Sequence, residues 1–182
     1  MSLTVHSTLR RLAVRTLAAA ALLVGGGAVT APVAAAQNPM TAFSLFRESA
    51  NYRLTDAGLN KYTAVARNLA AVQRQHPNLE MDGDIEEARS ISDIAAALDR
   101  QPLVKGAINR GGMTSREFVL FTFSMAAAAM FAEMEQNPQM QAHGMPMQAN
   151  PRNVAFYRAN KARLEALSRQ LDFGPPRQKH SH

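Results

Sequence analysis

The spacing of apolar residues predicts an amphipathic helix as the first regular element after residue 53. Between residues 55 and 75, apolar side chains recur every three or four positions with polar residues between them, which is the period of an α-helix. The apolar positions are Leu59, Tyr62, Val65, Ala66, Leu69 and Val72. Thr55 is suited to cap the start of this helix. The pair His76-Pro77 ends it, because the residue before a proline avoids helical backbone angles.

Two shorter helices are predicted next, one from Ser90 or Ser92 to Arg100 and one over 102–109. The first places Ile91, Ile94 and Leu98 on one face, and Pro102 fits the first position of the second helix. The connection over residues 78–87 carries five carboxylates around Gly83. Their spacing departs from that of an EF-hand calcium loop, so a solvated acidic loop is favoured over a calcium site.

The segment 113–135 is the most apolar part of the chain after residue 36. No charged residue occurs from Phe118 to Ala132, and apolar side chains fall on every face of the predicted helix, which indicates burial on all sides. Thr114 and Glu117 form a T-x-x-E capping box at its start. A membrane span is the alternative, but a bilayer needs about 20 apolar residues and charges flank this shorter run closely. A central helix of a soluble domain is therefore favoured.

A last helix is predicted to begin at Asn150 and Pro151 and to end before Gly174. No strand-like alternation appears, so the expected fold is all-α. It is a single small bundle over residues 54–173, with four to five helices packed around one central apolar helix. For the arm 37–53, the spacing does not decide between a short helix and irregular structure, and the tail 174–182 is predicted to be disordered.

Residues 1–36 have the features of a cleavable signal peptide. Arg10, Arg11 and Arg15 precede an apolar stretch over residues 16–33, and Ala34 to Ala36 match the small-residue cleavage rule. We therefore expect a periplasmic or secreted protein. An uncleaved anchor is the alternative, and the Arg10-Arg11 pair leaves open twin-arginine export, although ordinary secretion of the unfolded chain is favoured.

Composition restricts the possible chemistry of the mature chain. The full sequence has 20 basic and 14 acidic residues, and three of the arginines lie in the predicted signal peptide. The remaining 17 against 14 leave a net charge of +3, which is not that of a nucleic-acid-binding protein. The absence of cysteine excludes disulfides, lipoprotein anchoring and thiol catalysis.

Three groups of residues carry a resemblance to a known group of proteins. Leu54-Thr55-Asp56 opens one helix, Gly112-Met113-Thr114 with Arg116-Glu117-Phe118 opens another, and Asn153-Val154 with Phe156-Tyr157 lies in the last. In these residues, and over about Leu54 to Leu171, the chain resembles an uncharacterised group of small exported all-helical proteins of Gram-negative bacteria. The resemblance implies an extracytoplasmic helical fold and brings no catalytic residues.

Enzymatic motifs are missing from the sequence. It contains no G-x-S-x-G elbow, no Walker loop and no dinucleotide-binding fingerprint. The mature chain has four histidines, and none lies in the interior of a predicted helix, so the helix-borne Glu-x-x-His ligands of a bundle metal site are not available. We therefore predict a non-enzymatic binding or interaction module whose partner is an unknown protein or a small apolar ligand.

A methionine cluster supplies the alternative hypothesis. Six methionines fall between residues 125 and 147, and His143 lies among the last of them. Thioether and imidazole groups suit Cu(I), so Met140, His143, Met145 and Met147 form a candidate copper site. For the helical methionines, packing into irregular gaps is favoured. For the loop set, an apolar lid over the bundle is favoured over a set of metal ligands. The terminal His180 and His182 give only weak evidence of metal binding.

Overall fold

A computed structural model of the protein describes residues 39–77, 79, 88–136 and 150–171. These residues form six α-helices and, within the described ranges, no strand, so the predicted all-α class is confirmed. The helices are α1 (Pro39–Ser49), α2 (Asp56–Gln75), α3 (Ile91–Asp99), α4 (Pro102–Arg110), α5 (Ser115–Gln136) and α6 (Pro151–Leu171). The predicted signal peptide 1–36, the acidic residues 80–87 and the predicted tail 174–182 lie outside the described residues.

The predicted helix starts coincide with observed caps. The hydroxyl of Thr55 accepts a hydrogen bond from the backbone N–H of Gly58 at 3.1 Å, and the hydroxyl of Ser90 accepts one from Asp93. At α5, the Thr114 hydroxyl accepts from the backbone N–H of Glu117 at 3.1 Å. Each bond satisfies one of the backbone donors that the first helical turn leaves unpaired.

The sequence did not decide between a short helix and irregular structure for residues 37–53, and the structure has a helix there, α1. Leu45 and Ser49 are buried, and the backbone carbonyl of Ser49 accepts a hydrogen bond from the Ser124 hydroxyl of α5 at 2.9 Å. The Glu48 carboxylate accepts a bond from the backbone N–H of Ile91 at 3.1 Å and so caps α3. Helix α1 is thus held by contacts with distant parts of the chain, which its own apolar spacing could not reveal.

Helix α5 contacts all five of the other described helices. One row of its side chains is fully buried and faces the bundle: Phe118, Phe121, Met125, Ala128 and Ala132. The opposite side is half-buried rather than enclosed. The expectation of burial on every side is therefore wrong for this second side, because no described helix covers all of it.

Helix α5 is also the single described helix that is long and apolar enough to cross a membrane. Its most apolar 18 residues have a mean hydropathy of 1.4, and 39% of that window is buried inside the protein. The core helix of a soluble protein passes the same length and composition test.

The turn between α4 and α5 brings the backbone of α4 against α2. A Cβ atom added at Gly111 would lie 2.7 Å from the backbone nitrogen of Val65 and 2.9 Å from its Cα. Gly112 follows with a φ of 82°, in the left-handed region that favours glycine. The first glycine therefore permits close packing, and the second permits the change in chain direction.

Helix α6 closes the bundle between α2 and α5. The hydrogen bonds Arg163–Asn60 and Arg67–Gln170 show that α6 runs in the same direction as α2. The buried amide of Asn153 accepts a bond from the backbone N–H of Leu54 at 3.0 Å and donates one to the carbonyl of Tyr52 at 2.8 Å. The start of α6 thereby fixes the chain that leads into α2.

Replacing Gly111 by alanine should destabilise the protein by about 2 kcal/mol, because the added methyl group overpacks the contact with Val65. The matched control is Gly106→Ala in the interior of α4, where the nearest atom is the flexible Arg110 guanidinium at 3.3 Å. That substitution should be neutral or stabilising by up to about 1 kcal/mol. Chemical denaturation of both variants measures the difference, and equal unfolding free energies would contradict the close contact.

Candidate functional site

The candidate copper ligands Met140, His143, Met145 and Met147 lie outside the described residues. The methionines of α5 are described: Met125 is buried in the core, and Met130 and Met134 are half-buried. Among the residues with described positions, no group of three or more histidine, cysteine, aspartate or glutamate side chains could hold a metal ion. The copper site remains a prediction from the sequence.

The most distinctive surface is the half-buried side of α5, which we call the apolar face. It consists of Leu120, Phe123, Ala127, Met130, Phe131 and Met134, and each of these residues is partly exposed. Without Phe131, the members follow one another at intervals of three, four, three and four residues. This is the heptad spacing by which one helix presents a continuous seam to another.

The apolar face is positioned by contacts on its other sides. Leu120, Phe123 and Phe131 pack with one edge against the core. At the end nearer the start of α5, the ring of Phe123 meets that of Phe46 from α1, with 5.8 Å between ring centroids. Near the other end, Glu133 forms an ion pair with Lys161 at 2.9 Å. The face is therefore held in place along most of its length.

An aromatic cluster anchors the buried side of the same helix. The ring of Tyr62 from α2 stacks on Phe121 with 4.8 Å between centroids and on Phe118 with 5.7 Å. The ring of Tyr52 meets Phe121 edge-on at 6.3 Å. Offset stacking of this kind adds about 0.5–1.5 kcal/mol per pair beyond the burial of area.

All three tyrosine hydroxyls have a raised pKa. Burial raises the pKa of Tyr62 far above its ordinary value, and a side-chain hydrogen bond with Thr122 only partly opposes this shift. Burial also raises the pKa values of Tyr52 and Tyr157. The cause is the same in each case, because a phenolate loses hydration in the interior.

The buried polar groups of the described residues are used for structure. Every buried side-chain nitrogen and oxygen atom in the described ranges has a hydrogen-bond partner. The buried Ser115 hydroxyl donates a hydrogen bond to the Asp99 carboxylate at 2.7 Å. Asp99 also lies 3.7 Å from the ammonium group of Lys105. This arrangement links the end of α3 to the starts of α4 and α5.

No protein-family model, curated protein or solved structure matches this chain. The candidate site is therefore defined by its own geometry. The sequence carried a signal for the apolar face, since the heptad spacing from Leu120 to Met134 can be read directly. A second apolar heptad row, from Phe118 to Ala132, lies on the other side of the helix. The two rows together led to the prediction that the helix is buried on all sides.

The raised tyrosine pKa values predict a loss of stability in alkali. Because the folded-state pKa values exceed the unfolded-state value of about 10, unfolding favours tyrosine ionisation above that pH. The free energy of unfolding should be insensitive to the tyrosines below pH 10 and should fall as the pH rises further. Tyrosinate absorbance should appear at higher pH in the native protein than in the urea-unfolded protein.

Denaturant titrations at a series of alkaline pH values measure the fall in stability. The Tyr62→Phe variant should show a shallower decline than the wild type, because it removes the most strongly shifted group. Coincident absorbance titrations of the native and unfolded protein would contradict the burial of these hydroxyls.

Proposed function

We propose that the protein is an exported, non-enzymatic binding module that receives an amphipathic helix of a partner protein on its apolar face. In this proposal α5 is the central helix of a soluble bundle. Its contacts with five helices support that role, and so do the ion pairs of Glu133 and Glu135 with α6. The signal-peptide features of residues 1–36 support export to the periplasm or beyond.

The observation that carries the binding role is the half-buried heptad row on α5. Leu120, Phe123, Ala127, Met130 and Met134 present apolar side chains at the spacing that a second helix requires. Amphipathic partner helices bind to such surfaces through residues spaced by three and four positions. Methionine side chains are flexible and polarisable, so Met130 and Met134 can adapt to the shape of the bound helix.

The binding prediction can be tested with a fluorescent model peptide that carries leucine at heptad positions a and d. Wild-type protein should bind this peptide, and Ala127→Glu should weaken binding at least tenfold, because a carboxylate would have to be buried in the seam. The matched control Ala162→Glu places the same charge on an exposed position of α6 and should bind as the wild type does. Fluorescence anisotropy measures the affinities, and circular dichroism confirms that each variant is folded.

Three outcomes would contradict this role. Equal binding by the two glutamate variants would show that the peptide lies elsewhere on the surface. Binding of a small apolar dye without binding of the peptide would identify a small-molecule site. Dimerisation of the wild type that Ala127→Glu abolishes would assign the face to a second copy of the chain.

Export can be tested by expressing the full chain in a Gram-negative host and fractionating the cells. The protein should appear in the periplasm or medium with Gln37 as its first residue, since cleavage is expected after Ala36. Replacing Arg10 and Arg11 by lysine should leave export intact if the ordinary secretion route is used. A cytoplasmic protein of full length would contradict the proposal.

A further inference from the structure

Helix α6 packs against α5 and α2, and the two interfaces differ in net charge. Against α5, Arg158 pairs with Glu135 and Lys161 pairs with Glu133, so each positive charge meets a carboxylate. The hydrogen bond to Glu133 also raises the pKa of Lys161. This seam between α5 and α6 is therefore close to neutral.

The seam between α2 and α6 keeps its positive charge. The guanidinium of Arg163 donates to the Asn60 amide oxygen, and that of Arg67 donates to the Gln170 amide oxygen. Amides hold the two arginine side chains in place without neutralising them. Arg74 lies seven residues beyond Arg67 on the same face of α2 and is exposed. We call Arg67, Arg74 and Arg163 the arginine seam.

Carboxylates lie only at the margins of the arginine seam on these two helices. Asp56 is exposed at the first position of α2, one turn before Asn60. Glu165 of α6 acts electrostatically on Lys161 and Tyr157, which lie towards α5. Beyond residue 36, the full sequence carries 17 lysines and arginines against 14 aspartates and glutamates. The three arginines are therefore a local concentration of positive charge on α2 and α6 within the described residues.

We propose that the arginine seam binds the anionic surface of a phospholipid membrane. Residues seven positions apart on a helix are separated by about 10 Å along its axis, so one small phosphate ion cannot bridge the seam. A membrane surface offers many phosphate groups to exposed guanidinium groups at once.

A membrane fits this surface better than a single-stranded nucleic acid does. The exposed residues beside the three arginines on these helices are mainly alanine, asparagine and glutamine, including Asn60, Ala159 and Gln170. Single-stranded nucleic acids are bound by combining a basic groove with aromatic rings on which bases stack. Attraction to a charged lipid surface needs basic residues alone. The inference is independent of the partner helix proposed for the apolar face.

The test is co-sedimentation of the full chain with vesicles of phosphatidylcholine alone or mixed with phosphatidylglycerol. Each exposed basic residue near an anionic surface contributes appreciably to binding, so Arg67→Gln/Arg163→Gln should bind mixed vesicles about tenfold more weakly than the wild type. Glutamine removes the charge and retains a polar amide group, and thermal unfolding checks that the fold is retained. Binding to phosphatidylcholine alone should be equal in all variants.

The matched control is Arg158→Gln/Lys161→Gln, which removes the same charge from the paired seam and should change binding less than twofold. Residues 1–36 are present in every variant, so they cannot produce a difference between them. Equal weakening by the two double variants would overturn the proposal, because net charge alone would then explain binding. A loss of affinity for a 20-base-pair DNA duplex larger than the loss for vesicles would also overturn it. The proposal would also be overturned if inorganic phosphate displaced the protein from mixed vesicles more strongly than chloride does at equal ionic strength.

Discussion

The stacking of Tyr62 on Phe118 and Phe121 is the constraint that sets the spacing of α2 and α5. It joins α2 to α5 with no polar atom left unsatisfied, since the Tyr62 hydroxyl interacts with Thr122. The glycine turn at Gly111 places α4 against the same helix, α2. Helix α2 is thus in contact with both α4 and α5.

The same contact explains why α5 has two different sides. Aromatic packing directs Phe118 and Phe121 inward, and the heptad row that begins with Leu120 is turned away from the core. A helix with apolar side chains all round can be enclosed only when neighbours surround it completely. In the described part of this chain they do not, and the uncovered side becomes a surface that water solvates poorly and an apolar partner can cover.

Local signals in the sequence predicted most of the helices and their starts. Thr55, Ser90 and Thr114 are caps whose chemistry acts within one helical turn, so their positions follow from neighbouring residues. Helix α1, the amide contacts of Asn153 and the two seams of α6 could not be predicted in this way. They depend on pairs of residues far apart in the chain, and helical periodicity carries no information about which helices become neighbours.

The bonds of Asn153 have a consequence for how the chain acquires its fold. They join residues separated by 99 and 101 positions, so the beginning of α2 is secured only when the beginning of α6 arrives. Contacts of this sequence separation form more slowly than contacts between neighbouring helices, because a longer loop must be closed. The helices described before α6 can form locally while the start of α2 is still unsecured.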